Sequence, residues 1–157
     1  MKFVFITSTG GAVLGKLLEH EIVRQNTYCV VSDRDCGALL KAKNKDVFTK
    51  LLTSRDGLEF SIKLNETFSD QKLIYISFYT KLLKNKFLDA RRGFIFNCHP
   101  SVLPACKGLN GFGETLNSNS LFVGCTLHEV NLDLDSGRSV IQCAFPLDRR
   151  LGEAVNR

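Results

Sequence analysis

The sequence predicts an α/β fold with a doubly wound, mostly parallel sheet and an antiparallel hairpin near its C-terminal end. Short β-rich runs alternate with segments of helical spacing over 157 residues, the size of one domain. One of these runs, KLIYIS, has the β-branched and aromatic content of a strand buried on both faces. Near the end, two strand-like runs follow one another with no room for a crossover helix. We therefore expect a single domain, residues 1–157.

The first half of the chain supplies the alternation. KFVFIT is predicted as the first strand, and STGGAVLGKLLEHEIVRQ as a helix with an apolar stripe at Leu14, Leu17, Leu18 and Ile22. TYCVVS is predicted as the second strand and DRDCGALLKAKNK as the helix after it. The next region is less regular, and we interpret DVFTKLLTS as a helix and LEFSIKL as a short strand.

The second half supplies two buried strands and the hairpin. KLIYIS and GFIFN are the predicted strands, with a helix in TKLLKNKFLDA between them. SLFVGCTLHEV and RSVIQCAFPL form the predicted antiparallel hairpin, and NLDLDSG is its long tip. LGEAVNR has the pattern of the first turns of an amphipathic helix. In open α/β sheets ligands bind beyond the carboxyl ends of the strands, so Asn97 and His99, directly after GFIF, are placed for chemistry.

Composition and charge argue against several classes of protein. The net charge is 21 − 16 = +5, but the lysines of KAKNKDVFTK are spaced as on a solvated helix face, so we expect no nucleic-acid partner. No apolar run approaches the roughly 20 residues of a membrane span, and the start of the chain is predicted as a strand rather than a signal peptide. We expect a cytoplasmic protein with no membrane partner. The six cysteines form no C-x-x-C pair, which predicts free thiols and no metal site.

The stretch FNCHPSVLPACKG carries the strongest chemical signal. An imidazole at position 99 can move a proton or polarise a carbonyl, and the amide of Asn97 can donate to a developing oxyanion. Pro100 and Pro104 stiffen the loop that follows. The alternative for His99 is a turn histidine that bonds only to backbone.

A histidine in this role needs a group that orients it. Asp133 and Asp135 in the tip are the candidates, although Asp-Ser-Gly is also ordinary turn chemistry in a solvated loop. Among the other histidines, His20 is predicted at the surface, and His128 is predicted as a hydrogen-bonded structural residue on a strand.

A glycine pair follows the first predicted strand, in TSTGGAVLGK. Glycines before a helix allow close backbone approach to an anion, but a tight strand-to-helix turn also requires glycine. Anion binding and a purely structural turn both remain open for this loop.

Two stretches, FNCHPSVLPACKGLNGF and VGCTLHEVNLDLDSGRSVIQCAFPL, resemble the folate-dependent formyltransferases, above all the phosphoribosylglycinamide formyltransferases. The family pattern is N-x-H-P-S-L-L-P-x-x-x-G, then a G-x-T-x-H-x-V strand, then L-D-x-G. Weaker similarity covers nearly the whole chain and implies the Rossmann-like formyltransferase fold. The positions that fit the pattern are Asn97, His99, Pro100, Ser101, Leu103, Pro104, Gly108, Gly124, Thr126, His128, Val130, Leu134, Asp135 and Gly137.

This resemblance implies an enzyme that transfers a formyl group from 10-formyltetrahydrofolate to a primary amine without a metal. The implied acceptor is glycinamide ribonucleotide, a step of purine biosynthesis. Asn97 and His99 are implied to stabilise the oxyanion, and Asp135 to orient His99 and help move the proton. The resemblance also implies a folate site at Lys81, Leu82, Leu83, Leu134, Ser136 and Gly137, and a substrate phosphate loop at Gly10, Gly11, Ala12 and Val13.

The sequence departs from the family at three places. Ala12 and Val13 stand where the family has a Ser-Asn pair at the substrate phosphate, and Lys81 stands where it often has arginine. The sequence stops at Arg157, where the family continues through a long helix. From these departures we expect a retained folate site, weak acceptor binding, and either a homodimer or a helix borrowed from a partner. Two alternatives stay open: an amino sugar nucleotide N-formyltransferase, and a truncated folate-binding domain without turnover.

Overall fold

The computed structural model describes residues 1–68, 72–84 and 86–148. The helix predicted in LGEAVNR lies outside the described residues. The chain divides into two compact units, Met1–Phe96 and Asn97–Arg157, with β5 (Ile95–His99) crossing the boundary. In the described part of the chain no helix is long and apolar enough to cross a membrane.

The first unit alternates strands and helices. Its strands follow the order β3-β2-β1-β4, continued by β5, and the pairs β1–β2, β1–β4 and β2–β3 are all parallel. At the centre of β1, Val4 lies opposite Cys29 on one side and Tyr75 on the other. The elements are β1 (Lys2–Thr7), α1 (Ala12–Leu17), α2 (Glu21–Asn26), β2 (Thr27–Ser32), α3 (Gly37–Lys43), β3 (Thr49–Leu51), α4 (Gly57–Thr67), β4 (Leu73–Phe78) and α5 (Lys86–Ala90).

The second unit contains the end of β5, α6 (Gly111–Asn117), β6 (Phe122–Glu129) and β7 (Ser139–Pro146). β6 and β7 pair antiparallel, with Val123 opposite Phe145. The strand order β3-β2-β1-β4-β5-β6-β7 therefore gives a seven-stranded mixed sheet. The predicted α/β class, with a mostly parallel sheet and a C-terminal antiparallel hairpin, is confirmed.

The first predicted helix is wrong in its length. The chain forms two short helices, α1 and α2, and His20 lies between them with its side chain exposed, as predicted. Leu14 and Leu18 pack in a buried cluster with Phe5 from β1, but Ile22 is 75% exposed. The helical stripe ends at Leu18, because the chain turns before Ile22 could join it.

The predictions for residues 46–64 are wrong in type. The predicted helix DVFTKLLTS contains β3, which pairs with β2, and the predicted strand LEFSIKL lies in α4. Asp56 caps α4, because its side chain accepts hydrogen bonds from the backbone N–H groups of Leu58 and Glu59, both at 2.9 Å. Phe60 and Leu64, four residues apart, are buried, which is the spacing of one helix face.

Two further differences concern the predicted site. Within the predicted helix TKLLKNKFLDA, residues 80–84 form an irregular segment and Lys86–Ala90 form α5. Asn97 and His99 do not follow β5 but form part of it. Both side chains therefore start from a hydrogen-bonded strand rather than from a loop.

Candidate active site

Asn97 and His99 share one face of β5, because alternate residues of a strand point the same way. The Asn97 amide nitrogen Nδ2 lies 3.3 Å from Nε2 of His128, on β6. The other nitrogen of His128, Nδ1, lies 2.9 Å from the backbone oxygen of Glu129. A carbonyl can only accept, so Nδ1 of His128 carries the proton and Nε2 is free to accept from the Asn97 amide.

His99 is almost completely buried, with 3% of its surface exposed. Its Nε2 lies 2.8 Å from the backbone oxygen of Cys106, which assigns a proton to Nε2. Its Nδ1 lies 3.3 Å from Oδ2 of Asp135, the distance of an ion pair when a proton is shared between them. Both ring nitrogens of His99 therefore face protein groups.

Asp135 joins the two histidines. Its Oδ2 faces His99 and also accepts a 2.8 Å hydrogen bond from the backbone N–H of Gly108, while its Oδ1 lies 3.5 Å from Nε2 of His128. Its backbone has φ = 48°, in the left-handed region that aspartate tolerates better than most residues. Asp133, the other candidate, is exposed. The structure therefore selects Asp135 as the partner of His99.

The predicted catalytic residues Asn97, His99 and Asp135 lie together in the second unit, with His128 as a fourth member of the group. We call these four side chains the Asn-His-His-Asp cluster. His128, predicted as a hydrogen-bonded structural residue, is hydrogen-bonded to Asn97 and Glu129 and also lies 3.5 Å from Asp135. In the sequence, the signal for this position was the alternation that puts His128 on the same face of its strand as Thr126.

The loop after β5 is fixed to β6 by Thr126, which is fully buried. The Thr126 hydroxyl donates to the Ser101 carbonyl (2.8 Å) and accepts from the Leu103 N–H (3.0 Å). The Gln142 amide donates to both Thr126 Oγ1 (3.0 Å) and the Leu103 carbonyl (2.7 Å). The prolines were the predicted source of this loop's rigidity, but the hydrogen bonds of Thr126 and Gln142 also anchor it, and no sequence pattern indicated them.

The hairpin tip places the predicted folate residues Leu134, Ser136 and Gly137 around Asp135. Leu134 is 48% exposed. The Ser136 hydroxyl donates within the tip, to Asn131 Oδ1 and to the Asp133 carbonyl, both at 2.9 Å. A side chain at Gly137 would collide with the Glu129 carbonyl, which its Cβ would approach to 1.7 Å. Gly137 is therefore required for the hairpin to close.

In the first unit, the predicted phosphate loop is packed against α3. Gly11 has φ = 65°, and a Cβ there would lie 2.6 Å from Cα of Ala38. The backbone N–H of Ala38 donates to the Thr9 carbonyl at 3.1 Å. Ala12 and Val13 are both exposed at the start of α1. Packing alone accounts for glycine at position 11, while anion binding by this loop stays a prediction.

The segment with Lys81, Leu82 and Leu83 packs on the start of α4. A Cβ at Gly57 would lie 2.0 Å from the Leu82 carbonyl, and the Lys84 N–H donates to Ser61 Oγ at 2.9 Å. This close backbone contact fixes the course of the segment.

The ammonium group of Lys81 is engaged by Asp33, at 2.9 Å from Oδ2. Arg34 and the Tyr79 hydroxyl bind the same buried carboxylate. Burial would raise the pKa of Asp33, but the hydrogen bonds from Arg34, Lys81 and Tyr79 outweigh it and lower this pKa to about 2. In this structure the charge of Lys81 is therefore used in an ion pair with Asp33, inside the first unit.

All six cysteines are free thiols, but only Cys29 is buried, and Cys143 is exposed. Burial raises the pKa of Cys29 to about 12 and that of Cys98 to about 11. Within residues 1–68, 72–84 and 86–148, no group of three or more His, Cys, Asp or Glu side chains has an arrangement that could hold a metal ion.

Known proteins share this fold and sequence pattern. The family described as formyl transferase matches residues 1–153. The chain belongs to this family.

Individual relatives extend the comparison. The chain is 29% identical over 126 residues to the phosphoribosylglycinamide formyltransferase of Haemophilus influenzae. The aligned region covers 76% of this chain and 59% of that protein. It is 26% identical over 155 residues to the human trifunctional purine biosynthetic protein adenosine-3, covering 93% of this chain and 15% of that protein. The chain thus spans less than two thirds of the length of these two relatives.

Solved structures agree on the fold. The phosphoribosylglycinamide formyltransferase of Bacillus halodurans superposes with a TM-score of 0.86 at 19% identity, over 99% of this chain and 84% of that one. At that identity the likeness supports the fold alone.

Proposed function

We propose that this protein transfers a formyl group from 10-formyltetrahydrofolate to a primary amine, with glycinamide ribonucleotide as the acceptor. The observation that carries the proposal is Asp135, whose two carboxylate oxygens face His99 and His128. Formyl transfer needs hydrogen-bond donors for an oxyanion and a group that takes a proton from the attacking amine. The Asn-His-His-Asp cluster contains both kinds of group.

Asn97 is the proposed oxyanion donor. Its amide has two N–H groups, and His128 accepts only one of them at Nε2. The hydrogen bond to His128 fixes the orientation of the amide before substrate arrives. A donor held in place in this way stabilises developing charge without reorganisation, which is the source of its effect on rate.

Asp135 and His99 are the proposed proton-transfer pair. The Gly108 N–H donates to Oδ2 of the carboxylate, which also faces Nδ1 of His99, and these contacts set its orientation. Once the amine nitrogen bonds to the formyl carbon it becomes acidic, and Asp135 is placed to accept its proton directly or through water. When the oxyanion collapses, the bond from the formyl carbon to N10 of the folate breaks, and the same proton is passed to N10 so that tetrahydrofolate leaves as a neutral amine. His99 is the proposed second donor to the oxyanion, a role for which one ring nitrogen must be free.

The substrate assignments come from similarity and from the sequence. The relatives named above support glycinamide ribonucleotide as acceptor and purine biosynthesis as pathway. For the folate we propose Lys81, Leu82 and Leu83 in the first unit, and Leu134, Ser136 and Gly137 in the second. The supporting feature is exposure, since Leu82 and Leu134 are each 48% exposed. For the acceptor phosphate we propose the backbone of Gly10, Gly11, Ala12 and Val13.

The wider predictions stay proposals. A homodimer is supported by β7, which within residues 1–68, 72–84 and 86–148 is the edge strand of the sheet and has Val140, Ile141 and Phe145 exposed. Sedimentation of the purified chain tests it. Residence in the cytoplasm and the lack of a nucleic-acid partner are proposed from composition, and are tested by fractionation and by salt-dependent binding to DNA and RNA.

The deciding experiment measures formyl-donor consumption against a panel of amines. Glycinamide ribonucleotide should be formylated and amino sugar nucleotides should not. The opposite preference would establish the amino sugar alternative. Calorimetric folate binding without consumption, for every amine, would establish a binding domain without turnover. An Asp135→Asn sample serves as the control for uncatalysed formyl transfer.

A further inference from the structure

We propose that Gly111 is a positioning residue for His99: its missing side chain admits a closed position of the ring, in which Nε2–H is held by the Cys106 carbonyl. This inference rests on the proposed function for its effect on rate, but not for the position itself. The evidence is steric. A Cβ at Gly111 would lie 2.6 Å from His99 Nε2, 3.0 Å from its Cε1 and 2.8 Å from the Cys106 oxygen.

The Cys106 carbonyl is directed at the ring by the loop around it. Cys106 has φ = 51°, and the Ser101 hydroxyl shares its single proton between the Ala105 carbonyl at 2.6 Å and the Cys106 oxygen at 3.2 Å. The Cys106 oxygen therefore has His99 as its main donor and Ser101 as a weaker one. A carbonyl that is fixed from one side provides a defined resting place for the imidazole.

Gly111 is buried at the first position of α6, so a side chain there has no open space to enter. Two hydrogen bonds hold the first turn of α6: the Thr115 hydroxyl donates to the Gly111 carbonyl at 2.7 Å, and the Glu114 N–H donates to the Asn110 carbonyl at 2.9 Å. A methyl group added at this position crowds both the His99 ring and the Cys106 carbonyl, and displacement of either one breaks the contact between them.

The closed position withholds His99 from a substrate. Nε2 is given to Cys106 and Nδ1 faces Asp135, so neither nitrogen is available to an oxyanion. To act as the second donor, the ring must leave Cys106. A molecule in the closed position cannot react until the ring leaves Cys106. The observed rate therefore falls in proportion to the fraction of molecules in the closed position.

The test compares Gly111→Ala with Gly113→Ala. Both glycines lie in α6, so both changes raise helix propensity alike, but the three atoms nearest to a Cβ at Gly113 all belong to the Asn110 side chain, with Oδ1 at 2.5 Å. Thermal unfolding confirms that each variant folds. In Gly111→Ala we expect kcat to rise about two- to tenfold, the range for losing one neutral hydrogen bond from a resting state. Gly113→Ala should leave kcat unchanged.

Nuclear magnetic resonance of the imidazole nitrogens reports the ring position without any substrate. In the parent protein, His99 Nε2 should carry a slowly exchanging proton coupled to the labelled Cys106 carbonyl, and Gly111→Ala alone should lose that coupling. Absence of the coupling from the parent overturns the proposal, even if the variant does not fold. A fall in kcat with the coupling lost also overturns it, because the position would then be productive.

The proposed function can fail separately from this inference. If none of the three proteins formylates any amine, the reaction assignment is wrong. The resonance comparison then decides alone whether Gly111 sets the position of His99.

Discussion

The side-chain amide of Asn97 donates to Nε2 of His128, 3.3 Å away on the next strand. Because Nδ1 of His128 is committed to the Glu129 carbonyl, its tautomer is fixed and Nε2 is an acceptor. This pair turns the amide of Asn97 into an oriented donor. Its value to the reaction can be measured by removing either partner.

Asn97→Ala should lower kcat by about 10²–10³, with a smaller change in the KM for folate, because an oxyanion donor acts mainly in the transition state. Steady-state kinetics measure both constants. A change confined to KM would make Asn97 a binding residue instead.

His128→Phe should lower kcat by up to about 100-fold, because Asn97 keeps its amide but loses its orientation. His20→Gln, which alters an exposed histidine, is the control and should be silent. In the double variant with Asn97→Ala, the fold decrease in kcat should be smaller than the product of the two single decreases. Both changes remove the same oriented donor. Multiplicative losses would show that the two side chains act independently.

Asp135→Asn should lower kcat by about 10²–10⁴ while sparing folate affinity, because asparagine can neither take the amine proton nor form an ion pair with His99. Asparagine also tolerates the positive φ of this position, so the hairpin tip should keep its shape. The matched control is Asp133→Asn, the same change at an exposed carboxylate two residues away. Equal kcat in both variants would remove Asp135 from the reaction.

Thr126→Val should reduce the free energy of unfolding by about 2–4 kcal/mol. The change keeps the shape of the side chain but strips the Ser101 carbonyl and the Leu103 N–H of their buried partner, at about 1–3 kcal/mol for each group. Urea unfolding measures it, with Thr53→Val at an exposed position as the control. A loss no larger than the control's would mean that Thr126 does not anchor the loop.

Stability should fall in acid through Asp33. Its pKa is lowered to about 2 in the folded protein, so its contribution is present above its ordinary value of 3.8 and is lost as pH falls from about 4 to 2. Asp33→Asn should destabilise the protein at pH 7 by about 1–3 kcal/mol and flatten this part of the pH profile. Asp35→Asn, at an exposed neighbour, should leave the profile as steep as in the parent.

Alkylation should separate the thiols by exposure. Cys143 should react first with iodoacetamide at pH 8, and Cys29 last, because it is buried and its pKa is raised to about 12. Mass spectrometry after timed quenching gives the order, and denaturation should make all six react. A stoichiometric metal released on denaturation would contradict the predicted metal-free chain.

The strands were predictable because apolar runs determine them locally. KFVFIT and TYCVVS coincide with β1 and β2. α4 was mistaken for a strand because Leu58, Phe60, Ile62 and Leu64 alternate with polar residues. Leu58 and Ile62 are exposed, and the cap at Asp56 was the better signal.

The site was predictable in its members but not in its connections. Asn97, His99 and Asp135 follow from the family motif, but residue types alone left Asp133 and Asp135 both open, and the contact of Asp135 with His99 depends on a positive φ in a long tip. The role of His128 depends on the register of two neighbouring strands. Contacts of this kind are fixed by the folded chain as a whole, so the sequence alone left them open.

The Asn-His-His-Asp cluster belongs entirely to the second unit, whereas the Gly10–Val13 loop and the Lys81–Leu83 segment belong to the first. Under the proposed function, chemistry and part of the substrate recognition are encoded in separate stretches of the gene. Selection can therefore change the preferred amine through substitutions before Asn97 and leave every hydrogen bond of the cluster intact. This chain has Ala12 and Val13 where the family has a Ser-Asn pair, and it keeps all four side chains of the Asn-His-His-Asp cluster. This combination is what such divergence would produce.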